Sequence, residues 1–186
     1  ALPILKPHVI ERDIKTHEHI TGQDVFYYIY INFARSYAKN IRTASKTEHH
    51  PECPETHTIR LPFITDMSRA QSVYNEQFKS DYVSIAHYYR NLYHILNLLH
   101  VQKKKELENS PDTQKNEVSL AFSMLAKYIQ SRMTSYELVM VAYNALRYAK
   151  LKQLITEFNI IENITPDNFI EHEHTLFFPG INFKEY

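Results

Sequence analysis

The stretch His87–Leu99, HYYRNLYHILNLL, decides the fold. Together with the residues just before it, Tyr82, Ile85, Tyr89, Leu92, Leu96 and Leu99 recur at three- and four-residue steps. That is the period of a helix with one face turned to a core. On the neighbouring face stand His87, Arg90, Asn91 and His94, all within two turns. An arginine, an amide and two imidazoles on one surface suit an anion or a phosphodiester.

Working outward towards the N-terminus, the pattern predicts a bend or restart near Ser80–Asp81. Before it lies a helix from about Ser68 with Val73 and Phe78 inward. Residues 44–63 hold Pro51, Pro54 and Pro62 and read as a loop. Thr21 is an N-cap candidate with Asp24 three residues on, opening a helix that carries Val25, Tyr28, Ile29, Phe33 and Tyr37 to about Ile41. Pro3 and Pro7 break any long helix in residues 1–20.

Towards the C-terminus, Gln102–Lys115 is expected to be an exposed connection, with Asp112 or Thr113 capping the next helix. That helix would bury Val118, Ala121, Phe122, Leu125, Tyr128 and Ile129. Thr134-Ser135-Tyr136-Glu137 matches a capping box. It predicts a helix lined by Leu138, Val141, Ala142, Ala145, Leu146 and Ala149. Leu151–Phe158 reads as helical, and Thr165-Pro166 is a further start signal. From Thr175 the tail is expected to lie irregularly on the surface. The sum is one all-α domain, a bundle of about six antiparallel helices whose apolar stripes escape water by packing on each other. Its expected parts are an irregular segment 1–20, a helical domain 21–165, and a short helix with an irregular tail over 166–186.

The composition narrows the function. Lys plus Arg equal Asp plus Glu at 21 each, so bulk charge gives no case for nucleic-acid binding. With two glycines, Gly22 and Gly180, glycine-rich phosphate loops are absent. Cys53 is the lone cysteine, which excludes an intrachain disulfide and fits a reducing compartment. No apolar run of about 18 residues occurs. The start at Ala1 without methionine fits a trimmed or processed N-terminus, and equally the removal of an upstream anchor. The 14 tyrosines name no activity.

Four further groups carry chemistry. His49, His50, Cys53 and His57 have zinc-compatible spacings but come from a single loop, where closed sites usually draw on two. A solvated loop is the simpler account, and no cofactor is expected. His17-Glu18-His19 and Glu171-His172-Glu173-His174 read as exposed polar triplets unless the two ends meet in space. Tyr143 and Asn144, inside a helix, need buried partners, which suits a structural hydrogen bond to another helix. Lys103, Lys104 and Lys105 form a short basic run at a helix end.

Three phrases then carry a resemblance: DYVSIAHYYRNLYHILNLL, AKYIQSRMTSYELVMVAYNAL and LKQLITEFNIIENI, with TGQDVFYYIYINF ahead of them. They resemble the phage abortive infection proteins of bacteria, the AbiC-like family, over most of residues 20–165. The matching positions include Arg90, Leu92, Tyr93, Arg132, Tyr136, Glu137, Tyr143 and Asn144. The resemblance implies antiphage defence, and membrane segments ahead of this domain. It therefore implies a soluble piece on the cytoplasmic side of the bacterial inner membrane. On this reading the domain is a sensing and switching module rather than an enzyme. Its expected partners are a phage-derived component or nucleotide signal, the membrane through segments absent here, and a second copy in a homo-oligomer. Ligand contact falls to His87, Arg90, Asn91 and His94. The alternative is a metal-independent ribonuclease similar to the HEPN group, with Arg90, Asn91 and His94 catalytic. There the histidine would move the 2′-hydroxyl proton and the arginine would stabilise the charged phosphorane. Arg90 and His94 stand closer together than that group's pattern has them.

Overall fold

In a computed structural model of the chain, the described residues are 24–47 and 63–185. Five α-helices carry them: α1 Asp24–Thr47, α2 Phe63–Asn109, α3 Lys115–Ser131, α4 Ser135–Ala145 and α5 Ala149–Glu157. Three short 3-10 turns join in, at Asp112–Gln114, Pro166–Asn168 and His172–Phe177. No strand occurs among the described residues, and the fold is all-α.

Helix α2 organises the bundle. It runs unbroken for 47 residues, or about 70 Å at the usual rise. The break expected near Ser80–Asp81 is absent, and so is the loop expected from Gln102. The segment contains no proline or glycine to interrupt its hydrogen-bond ladder. The lysine run continues the helix because Lys103 and Leu107 are half-buried, Lys103 also bonding Glu157 of α5 at 3.2 Å. The stop comes at Ser110-Pro111. Pro111, with no side-chain cap bond, precedes the turn into α3, and Asp112 pairs with Lys115 at 2.6 Å.

The inward stripe of α2 is the one the periodicity implied: Ile85, Tyr89, Leu92 and Leu96 are buried and Leu99 is half-buried. Helix α1 lies antiparallel on its first half, with the Phe26 and Tyr88 rings 4.6 Å apart and those of Phe33 and Tyr74 5.6 Å apart. Helix α4 is the central element, buried at every position from Glu137 to Ala145. It begins at the expected capping box. Thr134 N–H and hydroxyl donate to Glu137 Oε2 at 2.7 and 2.9 Å, and Glu137 N–H returns to Thr134 Oγ1 at 3.2 Å. Past its end, Gln71 Nε2 of α2 donates to the Leu146 carbonyl at 2.7 Å, satisfying an orphan acceptor. Ala149, expected inward, is exposed at the start of α5.

Helix α5 closes with a left-handed residue, Asn159 at φ 50°. Ile160 N–H reaches back to the Ile155 carbonyl at 3.0 Å and Asn159 N–H to that of Thr156 at 3.3 Å. This is a Schellman ending, with Ile155 and Ile160 both fully buried around it.

Two further expectations are corrected. The buried side of α3 is Ala126 and Gln130, flanked by half-buried Phe122 and Ile129, while Ala121, Leu125 and Tyr128 are exposed. The helix is apolar on both sides, so periodicity alone could not choose one. The tail does not lie on the surface either: His174, Phe177, Phe178 and Ile181 are buried. Their burial removes large aromatic area from water, a stronger term than the freedom of an irregular segment.

Candidate functional site: an outward polar strip on α2

His87, Arg90, Asn91 and His94 are all exposed, as a strip one turn away from the buried stripe of the same helix. The strip is anchored from behind, since Ile85, Tyr89, Leu92 and Leu96 beneath it are at most 6% exposed. Among the described residues, no ion pair or hydrogen bond holds the Arg90 side chain. The buried Glu137 carboxylate, on α4, is taken by Thr134 and not by Arg90. The His94 ring meets the Tyr93 ring edge-on at 5.4 Å. A free guanidinium, an amide and two imidazoles on a rigid rod can grip a phosphate or carboxylate by charge-assisted bonds.

A second polar region lies further along α2. His100, Lys103, Lys104, Leu107 and Glu108, with Lys115 and Glu157, line an open groove of about 500 Å³. Its charges are largely spent internally: Glu157 takes His100 Nδ1 at 2.6 Å and Lys103 at 3.2 Å, and Lys115 pairs with Asp112.

The third group is internal, and sequence reasoning missed its centre. His174, the last residue of an apparently exposed triplet, is 0% exposed. Its Nδ1 lies 2.7 Å from the Tyr143 hydroxyl, and its Nε2 is 3.3 Å from the Tyr37 hydroxyl and 3.6 Å from Glu171 Oε2. Tyr143 accepts the Ile170 N–H at 3.0 Å, so its own proton is free to donate to Nδ1. That assigns the ring proton to Nε2, facing Tyr37 and Glu171. Burial holds His174 down to about 4, with Glu173 opposing weakly. Burial likewise pushes the Tyr143 hydroxyl well above its ordinary value. The group joins α1, α4 and the tail. The signal that pointed to it was Tyr143, whose place inside an apolar helix demanded a partner. Asn144 met the same demand as expected: its Oδ1 lies 3.3 Å from the Tyr74 hydroxyl of α2.

The triplet is thus split, since His172 turns outward to Asp167 at 2.6 Å while its neighbour is buried. The loop ligands His49, His50, Cys53 and His57, and the first triplet at His17–His19, lie outside the described residues. Among the described residues no three metal-ligating side chains gather. No described helix is long and apolar enough to cross a membrane.

Comparison with known proteins places this geometry. The model of one family, described as "Putative phage abortive infection protein", matches residues 81–169. That span runs from position 81, within α2, through the turn after α5 and contains the whole polar strip. No curated protein and no solved structure matches the chain. Over residues 81–169 the chain is similar to the phage abortive infection, or AbiC-like, family.

Proposed function

We propose that this chain serves antiphage defence as a sensing and switching domain, binding an anionic signal such as a nucleotide, or an acidic surface of a phage component, along His87, Arg90, Asn91 and His94. The observation that carries the proposal is Arg90: a permanently charged group, unpaired among the described residues, held outward on the long helix α2 within the family-matched segment. A guanidinium facing solvent offers its planar fork of donors to an incoming carboxylate or phosphate. The domain would pass its signal to membrane segments lying upstream in the complete protein, at the cytoplasmic face of the inner membrane.

Titrating nucleotides into the protein tests the ligand class. Arg90→Ala should weaken binding by at least tenfold, and Lys at that position should recover only part, since it offers charge without the planar fork. Equal affinity in wild type and Arg90→Ala removes the strip from the account. For the anchored arrangement, deleting upstream apolar segments from the complete protein should abolish protection. Full protection by the present chain alone contradicts it.

The neighbouring placement of Arg90 and His94, one turn apart on the same exposed face, supports a ribonuclease as the second reading. RNA integrity in infected cells separates the two. Cleavage that disappears in both Arg90→Ala and His94→Ala supports the nuclease. Intact RNA throughout, with protection still dependent on Arg90, supports the sensor.

A further inference from the structure

Helix α3 carries large apolar side chains on the side away from the core. Leu120, Met124 and Tyr128 are 62%, 63% and 66% exposed. With Glu117 and Ser131 they form one stripe at three- and four-residue steps, opposite the buried Ala126 and Gln130. Leu98 of α2, 65% exposed, stands about as far before the turn at Asp112 as Met124 stands beyond it. An antiparallel hairpin therefore sets the two at nearly one level. Ile95, Val101 and Leu125, about half exposed, flank them. Together these side chains present on the order of 800 Å², larger than the usual patch on a monomer and about one partner's share of a standard interface.

We infer that this face is a two-fold interface between copies of the chain, with α3 packed antiparallel on α3 and centred on Met124. Two features favour a second copy over other occupants. The first is self-complementary charge. Antiparallel packing about Met124 sets Leu120 against Tyr128 of the partner subunit, and Glu117 near Arg132 of the partner subunit. Glu117 and Arg132 are both exposed and make no ion pair among the described residues. A two-fold axis forms this pairing twice, as an isologous interface requires. The second feature is the extent of the apolar face, which matches one partner's share of a standard interface between copies.

The outward stripe of α2 adds a consequence. Its sequence of steps, His87, Arg90 with Asn91, His94, Leu98 and Val101, passes without a gap from the polar strip into this face. Self-association would therefore hold two polar strips beside one interface. The interface stands on its own observations and does not depend on what the strips bind.

Sedimentation velocity of the purified chain at sub-millimolar concentration is the test. Wild type should sediment as a dimer. Met124→Glu, which sets two carboxylates together at the axis, should weaken association at least about 100-fold. Its circular dichroism and unfolding midpoint should be unchanged, because the side chain is exposed. Glu117→Arg and Arg132→Glu should each weaken the dimer about tenfold, and the double exchange should return it to within about threefold of wild type. A wild type that stays monomeric overturns the proposal, as does a Met124→Glu dimer of undiminished affinity. A double exchange without recovery overturns the antiparallel register. A monomer that binds phosphatidylglycerol vesicles through Met124 overturns the choice of a second copy.

Discussion

At the scale of single residues, His174 shows how burial turns a side chain into a pH-dependent stabiliser. Its native pKa of about 4 lies below the ordinary 6.5, so the unfolded chain takes up a proton that the native protein refuses. The stability this group contributes is fully present above pH 6.5. It falls as pH drops towards 4, and the slope ends below that, with a total loss of about 3 kcal/mol. Urea midpoints followed from pH 7 to 4 should decline in wild type by that much more than in His174→Gln, and parallel curves would refute the assignment. Tyr143→Phe removes the hydroxyl shared by the Ile170 N–H and His174 Nδ1. Leaving both buried groups unpaired should cost about 2–3 kcal/mol in equilibrium unfolding. Asn159 offers the opposite sign. At φ 50°, Asn159→Gly should stabilise by several tenths of a kcal/mol, and Asn159→Ala should destabilise by about 1 kcal/mol.

At the scale of elements, the helices set by strong local signals were readable from the sequence, and the rest were not. The Thr134–Glu137 box fixed the start of α4 because both of its side chains act within four residues. Thr134→Ala should cost about 1 kcal/mol in thermal or urea unfolding. The inward face of α2 was likewise legible, because a single stripe of apolar residues contrasts with polar neighbours. Three misreadings share one physical cause, namely packing partners remote in sequence. The lysine run stays helical because Glu157, 54 residues on, receives Lys103. The sidedness of α3 is set by Gln130, whose Nε2 donates to the Asn159 and Ile160 carbonyls at 3.3 and 2.9 Å. Nothing around an isolated glutamine announces that it will be buried. The tail looked polar through its Glu-His-Glu-His run, yet alternate fates for His172 and His174 follow only once Tyr37 and Tyr143 are in place. The tyrosines that seemed uninformative are the packing material itself: Tyr37, Tyr74 and Tyr143 are among the largest fully buried side chains. Each carries a hydroxyl that the interior satisfies.

At the scale of the whole molecule, the strip was legible as a set of residues, and its exposure follows from the opposite face being core. What the sequence left open was whether Arg90 was already paired with Glu137, and the bonding of that carboxylate to Thr134 answers that. The bundle thus reads as a rigid rod with its inner side spent on packing and its outer side divided between charge and apolar surface. On the proposed reading, defence by this domain depends on an anionic partner engaging the charged part. The most direct check is phage plating on cells producing the complete protein with either Arg90 or Ala at that position, at matched protein levels and unfolding midpoints. The account predicts that phage plate freely on the Arg90→Ala strain while wild type protects. Protection by Arg90→Ala equal to that of wild type would contradict it.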